Sequence, residues 1–221
     1  MTAEELINQM IPPLKTTDSL EKALKWMEEL KISQLPVVEN NQYKGLVSEE
    51  LIFAKTDNQH IVADLPLIAP EVKAYYHQHF YEILKLANSH AVEVVAIMDE
   101  ANQFLGVVTV NDTLVAFADS TALQEPGGIL VLLLDPRDYS LSEISRLIES
   151  NNAKILSTYI NQNSQDKNKI NVTIKTNVLD LSRIIATFER FGYQIIAKFQ
   201  TNDSVDTDKE RLEMLLKYLN I

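Results

Sequence analysis

A chain of 221 residues, 46% of them apolar, is long enough for one large or two small domains and too apolar to stay disordered. It has no cysteine, which excludes a disulfide framework, a thiolate metal site and a cysteine nucleophile. A net charge of −11, with no Lys/Arg-rich run, argues against nucleic acid or an anionic membrane surface as partner.

Asp18-Ser19 offers a helix N-cap, and Leu20, Ala23, Leu24 and Met27 follow at helical spacing. Leu35-Pro36-Val37-Val38 reads as a strand, Asn40-Asn41 as a turn and residues 43–47 as the antiparallel return strand, with a short helix from Ser48. The same order recurs. A helix is expected over about 73–89, strands over 92–98 and 104–108, and a further helix from Thr109. The segment Glu39-Asn40-Asn41-Gln42-Tyr43-Lys44-Gly45-Leu46-Val47-Ser48 aligns without gaps on Glu100-Ala101-Asn102-Gln103-Phe104-Leu105-Gly106-Val107-Val108-Thr109, five of ten positions being identical. The second copy lies 61 residues after the first, Ser48 to Thr109. Helix, strand, strand and helix, twice over, describe two copies about a pseudo-twofold axis.

These residues resemble the CBS pair, the module named after cystathionine β-synthase. Gly106-Val107-Val108-Thr109-Val110-Asn111-Asp112 is similar to that family's glycine, apolar pair, threonine and following aspartate, and Ile32-Ser33-Gln34-Leu35-Pro36-Val37-Val38 to its strand motif. The resemblance covers residues 1–125, as units of about 1–62 and 63–125. In the first unit Leu51 stands where the family has its aspartate, and in the second Val94-Val95-Ala96-Ile97 replaces the Leu-Pro-Val motif, so the two clefts should differ.

Glu125-Pro126-Gly127-Gly128 punctuates the chain. Beyond it the apolar run Ile129-Leu130-Val131-Leu132-Leu133-Leu134 reads as a strand buried on both faces. Leu141, Ile144, Leu147 and Ile148 mark a helix face, Asn151-Asn152 suit its left-handed cap, and a strand follows over 155–160. After the polar stretch 161–168, Ile170, Val172 and Ile174 alternate as a half-exposed strand. A helix over about 178–191, a cap at Gly192 and a last strand over 193–199 complete βαββαβ, a ferredoxin-like order. The fold class expected for the whole chain is thus α/β (α+β). Residues 128–200 resemble an ACT domain, which implies amino-acid sensing, although the glycine that family has after its first strand is missing from Asp135-Pro136-Arg137-Asp138-Tyr139-Ser140. Residues 201–221 read as a polar linker and an amphipathic terminal helix over 209–219. The overall order is similar to acetoin-utilisation-type CBS proteins.

For chemistry, Thr109 ends a strand and starts a helix, where a hydroxyl and helix-start amides suit a phosphate. Asp112 can accept from the paired hydroxyls of a ribose. On the structural reading the same two residues are an N-cap and a first-turn acid. Ser48 keeps a hydroxyl in the first, degenerate cleft, but Glu50 falls one residue early, about 100° round the helix. His77 and His79, two apart on the expected helix, cannot share an ion, and His60 and His90 have no partner in the pattern. No nucleophile–base pair, Gly-rich phosphate loop or HExxH helix is present, so no catalytic residue, metal or cofactor is expected. No apolar run approaches the ~20 residues that cross a bilayer, and the opening Met1-Thr2-Ala3-Glu4-Glu5 has no secretory apolar core, which makes the cytoplasm the expected location. The expected protein is a non-catalytic homodimeric regulator that senses an adenine nucleoside or nucleotide through Thr109 and Asp112. The alternative is a structural protein with empty clefts that binds a partner enzyme.

Overall fold

Ser19 accepts the amide hydrogen of Lys22 and so opens α1 (Leu20–Leu30), whose Leu20, Ala23 and Met27 are buried at helical spacing. The helix ends at Lys31, in the left-handed region with φ 58°. A hairpin follows, β1 (Gln34–Glu39) and β2 (Gln42–Ser48), and then the short α2 (Glu49–Phe53). The second copy comprises β3 (Lys73–Tyr75), α3 (Phe80–His90), β4 (Val94–Met98), β5 (Phe104–Thr109) and α4 (Val110–Ser120). The computed structural model describes residues 1–55, 60–120 and 122–200, and the chain divides into two compact units, Met1–Phe117 and Ala118–Ile221.

The repeat is closer than its sequence suggests. Both hairpins lose register at the same place, between Val37 and Val38 and between Ile97 and Met98, so that Lys44 and Leu105 are the unpaired residues. The helices and first strands are 60 residues apart (Leu20 and Phe80, Lys31 and Ala91), whereas the second strands are 61 apart (Gly45 and Gly106, Ser48 and Thr109). The one extra residue lies in the second hairpin's turn. The expected helix over 73–89 starts later. Tyr75 pairs with Met98 and donates its amide hydrogen to Gln78, and His79 then caps α3 by accepting from Tyr81. His77 and His79 therefore do not share a helix.

Each copy is closed by a strap from elsewhere in the chain. Ile68 exchanges backbone hydrogen bonds with Leu46 of β2, after Val62 and Ala63 have donated to Asp18 and Thr16. At the equivalent places in the second copy Asn8 donates to Val107 of β5, and Ala3 and Glu4 donate to Gln78 and Tyr76. The sequence units 1–62 and 63–125 therefore do not close separately: the N-terminal residues cover the second copy. One apolar core runs through both, from Leu14, Leu20, Leu35 and Ile52 to Phe80, Ile83, Val95 and Val108. Each such side chain contributes roughly 1.5–3 kcal/mol by leaving water.

The second unit is a four-stranded antiparallel sheet: β6 (Ile129–Leu134), β7 (Ile155–Gln162), β8 (Ile170–Thr176) and β9 (Gln194–Phe199), in the spatial order β7-β8-β6-β9. With α5 (Leu141–Glu149) and α6 (Ser182–Arg190) this is the ferredoxin-like arrangement. The expectation that β6 is buried on both faces fails. Leu130, Leu132 and Leu134 enter the core with Ile144, Ile148 and Phe188, while Ile129, Val131 and Leu133 are half-buried, the alternation of an antiparallel sheet packed on one side. Helix α6 begins four residues later than expected, because Gly128 and Thr176 both donate to the Val178 carbonyl and hold that turn outside the helix. Asn152 is left-handed, as expected of its cap, with φ 57°, and Gly192 has φ 81°. The expected terminal helix over 209–219 lies outside the described residues.

Candidate functional site

The end of β5 delivers Thr109, 7% exposed, to the first turn of α4. Its hydroxyl accepts the Asp112 amide hydrogen at 3.0 Å, and Asp112 Oδ2 accepts from the Thr109 amide at 2.9 Å and its hydroxyl at 2.7 Å. This is a reciprocal capping box, made here with aspartate. It brings the two sequence-predicted residues together and fully occupies Oδ2. Among the described residues Asp112 Oδ1 has a single long contact, the Asn8 side-chain amide, whose Nδ2 lies 3.4 Å from both carboxylate oxygens.

Asn8 was not legible in the sequence. It reaches Asp112 because the strap fixes it: its amide donates to Val107 at 2.8 Å, and its Oδ1 accepts from Met10 at 3.0 Å. Both Asn8 and Asp112 are partly exposed, so the pair is open to a solute.

The first copy has the same backbone and different chemistry. Ser48 caps α2 by accepting from Leu51 at 3.3 Å, the counterpart of the Thr109–Asp112 bond, but leucine returns nothing. Ile68 occupies the strap position of Asn8. The polar pair of one cleft is thus an apolar pair in the other. Glu50 is exposed on α2, off the position equivalent to Asp112. Across the pseudo-axis Glu93 accepts from the Ser33 amide and hydroxyl, and its own amide donates to Gln34.

The histidines have local partners. His79 is a cap, His60 faces Asp64 at 3.3 Å, His90 faces Glu71 at 3.5 Å, and His77 lies against the rings of Tyr75 and Tyr76. Among the described residues no cluster of three or more His, Asp or Glu side chains is arranged to hold a metal. Burial, with the Glu71 carboxylate adding to it, pushes the Tyr43 phenol above its usual range, and that phenol donates to the Ala69 carbonyl beside the first cleft. A hollow of about 730 Å³ lies in the second unit between Asp135, Arg137, Ser140, Lys169 and Tyr193, and one of about 350 Å³ in the first between Glu4, Tyr76 and Glu100. Neither reaches Thr109 or Asp112.

Residues 3–55 match the family model described as CBS domain. Inosine-5'-monophosphate dehydrogenase from Methanocaldococcus jannaschii is 26% identical over 149 residues, which is 67% of this chain and 30% of the dehydrogenase, so the chain spans under a third of that relative. A CBS domain pair/ACT domain protein from Thermotoga maritima aligns with a TM-score of 0.50 at 18% identity, over 54% of this chain and 98% of that one. CBSX2, solved in complex with AMP, aligns with a TM-score of 0.45 at 20% identity, over 56% of this chain and 96% of that one. The 54% share is the size of one unit of this chain. The chain carries a CBS domain at residues 3–55, inside a mixed α/β fold shared with a solved CBS-domain-pair protein.

Proposed function

We propose that this protein is a non-catalytic regulator that senses an adenine nucleoside or nucleotide in its second CBS-type cleft, through Thr109 and Asp112. The observation that carries the reading is the asymmetry between the clefts: Asp112 presents a carboxylate oxygen with one long partner, where the first copy presents Leu51. An acceptor on the first turn of a helix, next to the strand-end hydroxyl, suits a ribose hydroxyl, with the helix start favouring a phosphate. Regulation then requires that the ligand bind two states of the protein unequally. A homodimer fits the same reading, since α4 keeps Leu114 and Val115 exposed after the core is built. The second unit, ACT-like in strand order, has Ser140 engaged as the cap of α5, in the 135–140 stretch that lacks that family's glycine.

The occupied Oδ2 of Asp112 and the apolar first cleft favour a second reading, a structural protein with empty clefts that binds a partner enzyme. Titration calorimetry separates the two. After a thermal-shift screen of adenosine, the adenine nucleotides and S-adenosylmethionine, Asp112→Ala should weaken the ligand found by about tenfold or more, the loss of one charge-assisted hydrogen bond. Glu50→Ala should leave it unchanged. Equal binding by Asp112→Ala removes the assigned site. No adenine ligand for the wild type moves the conclusion to the structural protein.

A further inference from the structure

We propose that Asn8 is a second recognition residue of this cleft, one that makes it select a vicinal diol over a single hydroxyl; the inference rests on the nucleoside reading above. A carboxylate offers only acceptors, whereas each hydroxyl of a cis-diol both donates and accepts. Asp112 Oδ2 is committed to the Thr109 amide and hydroxyl at 2.9 and 2.7 Å, which leaves Oδ1 to accept from one ligand hydroxyl. The neighbouring hydroxyl then needs a donor. The Asn8 Nδ2 supplies one, 3.4 Å from both Asp112 oxygens, contacts at the long limit of a hydrogen bond. Exchanging that weak contact for a ligand hydroxyl costs little.

The rest of Asn8 does not have to move for this. Its backbone amide is bonded to Val107 and its Oδ1 to the Met10 amide, so the side-chain amide is oriented with its donor end toward Asp112. The comparison within the molecule points the same way. The first copy lacks the acceptor and the donor together, with Leu51 and Ile68 at the two positions. Donor and acceptor are therefore present or absent as a pair, as a site reading two adjacent hydroxyls requires.

The test titrates wild type, Asn8→Ala and Asn8→Asp with adenosine and 2′-deoxyadenosine. Wild type should prefer adenosine. Asn8→Ala should weaken adenosine by about three- to tenfold, the worth of one neutral hydrogen bond, and leave 2′-deoxyadenosine within twofold, so that the preference shrinks. Asn8→Asp keeps the shape and the Met10 bond but replaces the donor by a second acceptor beside Asp112, and should weaken adenosine further. The isosteric variant also guards against a misfolded alanine variant, and unchanged 2′-deoxyadenosine binding reports an intact cleft in either. If adenosine binds wild type and both variants equally, or if both nucleosides weaken in parallel, Asn8 does not make the cleft select a diol, although the nucleoside reading survives. If wild type binds neither nucleoside, the nucleoside reading itself fails and takes this one with it.

Discussion

Asp112 is half of a capping box and, on the function proposed above, also a ligand acceptor, and the two roles separate experimentally. As half of a capping box it stabilises the start of α4 by satisfying the Thr109 amide, whether or not a ligand is present. Thr109→Ala should therefore cost about 1 kcal/mol in chemical denaturation, and Ser48→Ala less, because the first copy has only one half of the box. Thr109→Ser, which keeps the hydroxyl, should be nearly neutral. Asp18 provides a pH handle of a different kind. Burial works against its charge, but the Lys22 ammonium at 2.7 Å and the Lys15 amide at 2.8 Å outweigh it and hold the carboxyl below its usual range. A carboxyl lowered on folding stabilises fully above its unfolded value near 4, and that stabilisation disappears as pH falls through the lower folded value. Urea midpoints of wild type and Asp18→Asn should thus differ at pH 6 and converge as the solution is acidified below about pH 4. A gap that widens on acidification would reverse the assignment.

Among the elements, the hairpins could be read from the chain because they combine apolar strands, turn residues and a repeated glycine. The straps could not. Residues 1–8 and 60–68 pair at isolated positions and include single 3-10 turns, Glu4–Leu6 and Val62–Asp64, so they carry no periodicity of either kind. Asn8 was hidden for that reason: its role depends on which edge the strap closes, a fact of tertiary pairing. The glycines are the one trace the straps leave. A Cβ on Gly45 would meet the Ile68 carbonyl oxygen at 2.8 Å, and one on Gly106 would meet the Ile7 Cγ2 at 2.5 Å. Both residues also have φ values, 140° and 159°, that L side chains rarely adopt. Gly45→Ala should be the more destabilising of the two, since a backbone carbonyl yields less readily than the end of a side chain. Equal denaturation midpoints would show that the φ requirement, and not the strap, sets the cost. The two helix exits offer the opposite change. Lys31 and Ala91 both take left-handed φ, 58° and 52°, at matching cap positions, so Ala91→Gly should stabilise by roughly 0.5–1 kcal/mol.

At the scale of the whole molecule, the apolar residues of α1 belong to the core: Leu20 and Met27 are buried, and Leu24 and Trp26 pack against it. For the homodimer proposed above, the face we assign to a second copy is on α4, where Leu114 and Val115 are 61% and 55% exposed. Light scattering should give twice the 25.1 kDa chain mass for wild type, and Leu114→Glu should give a folded monomer. A monomeric wild type at micromolar concentration would exclude the dimer. The boundary between the two units poses a finer question. The Pro-Gly-Gly junction suggests a cut just before β6, yet Lys175 on β8 is 7% exposed and its ammonium donates to the Ala122 and Leu123 carbonyls at 2.7 and 2.9 Å. A fragment starting at residue 129 would delete both acceptors and so lose two hydrogen bonds from a charged donor, worth about 1.5–3 kcal/mol each. Gly127 and Gly128 belong to the second unit as well. A Cβ on Gly127 would collide with the Thr176 carbonyl oxygen, and the Gly128 amide donates to Val178. A fragment of residues 118–200 should therefore show dispersed amide NMR signals and a cooperative melt, while 129–200 should melt at lower temperature or fail to fold. Replacing Lys175 with Met in the longer fragment should lower its stability toward that of the shorter one, because it removes the same two hydrogen bonds. If 129–200 is as stable as 118–200, the Lys175 contacts contribute nothing and the junction can be cut at the glycines.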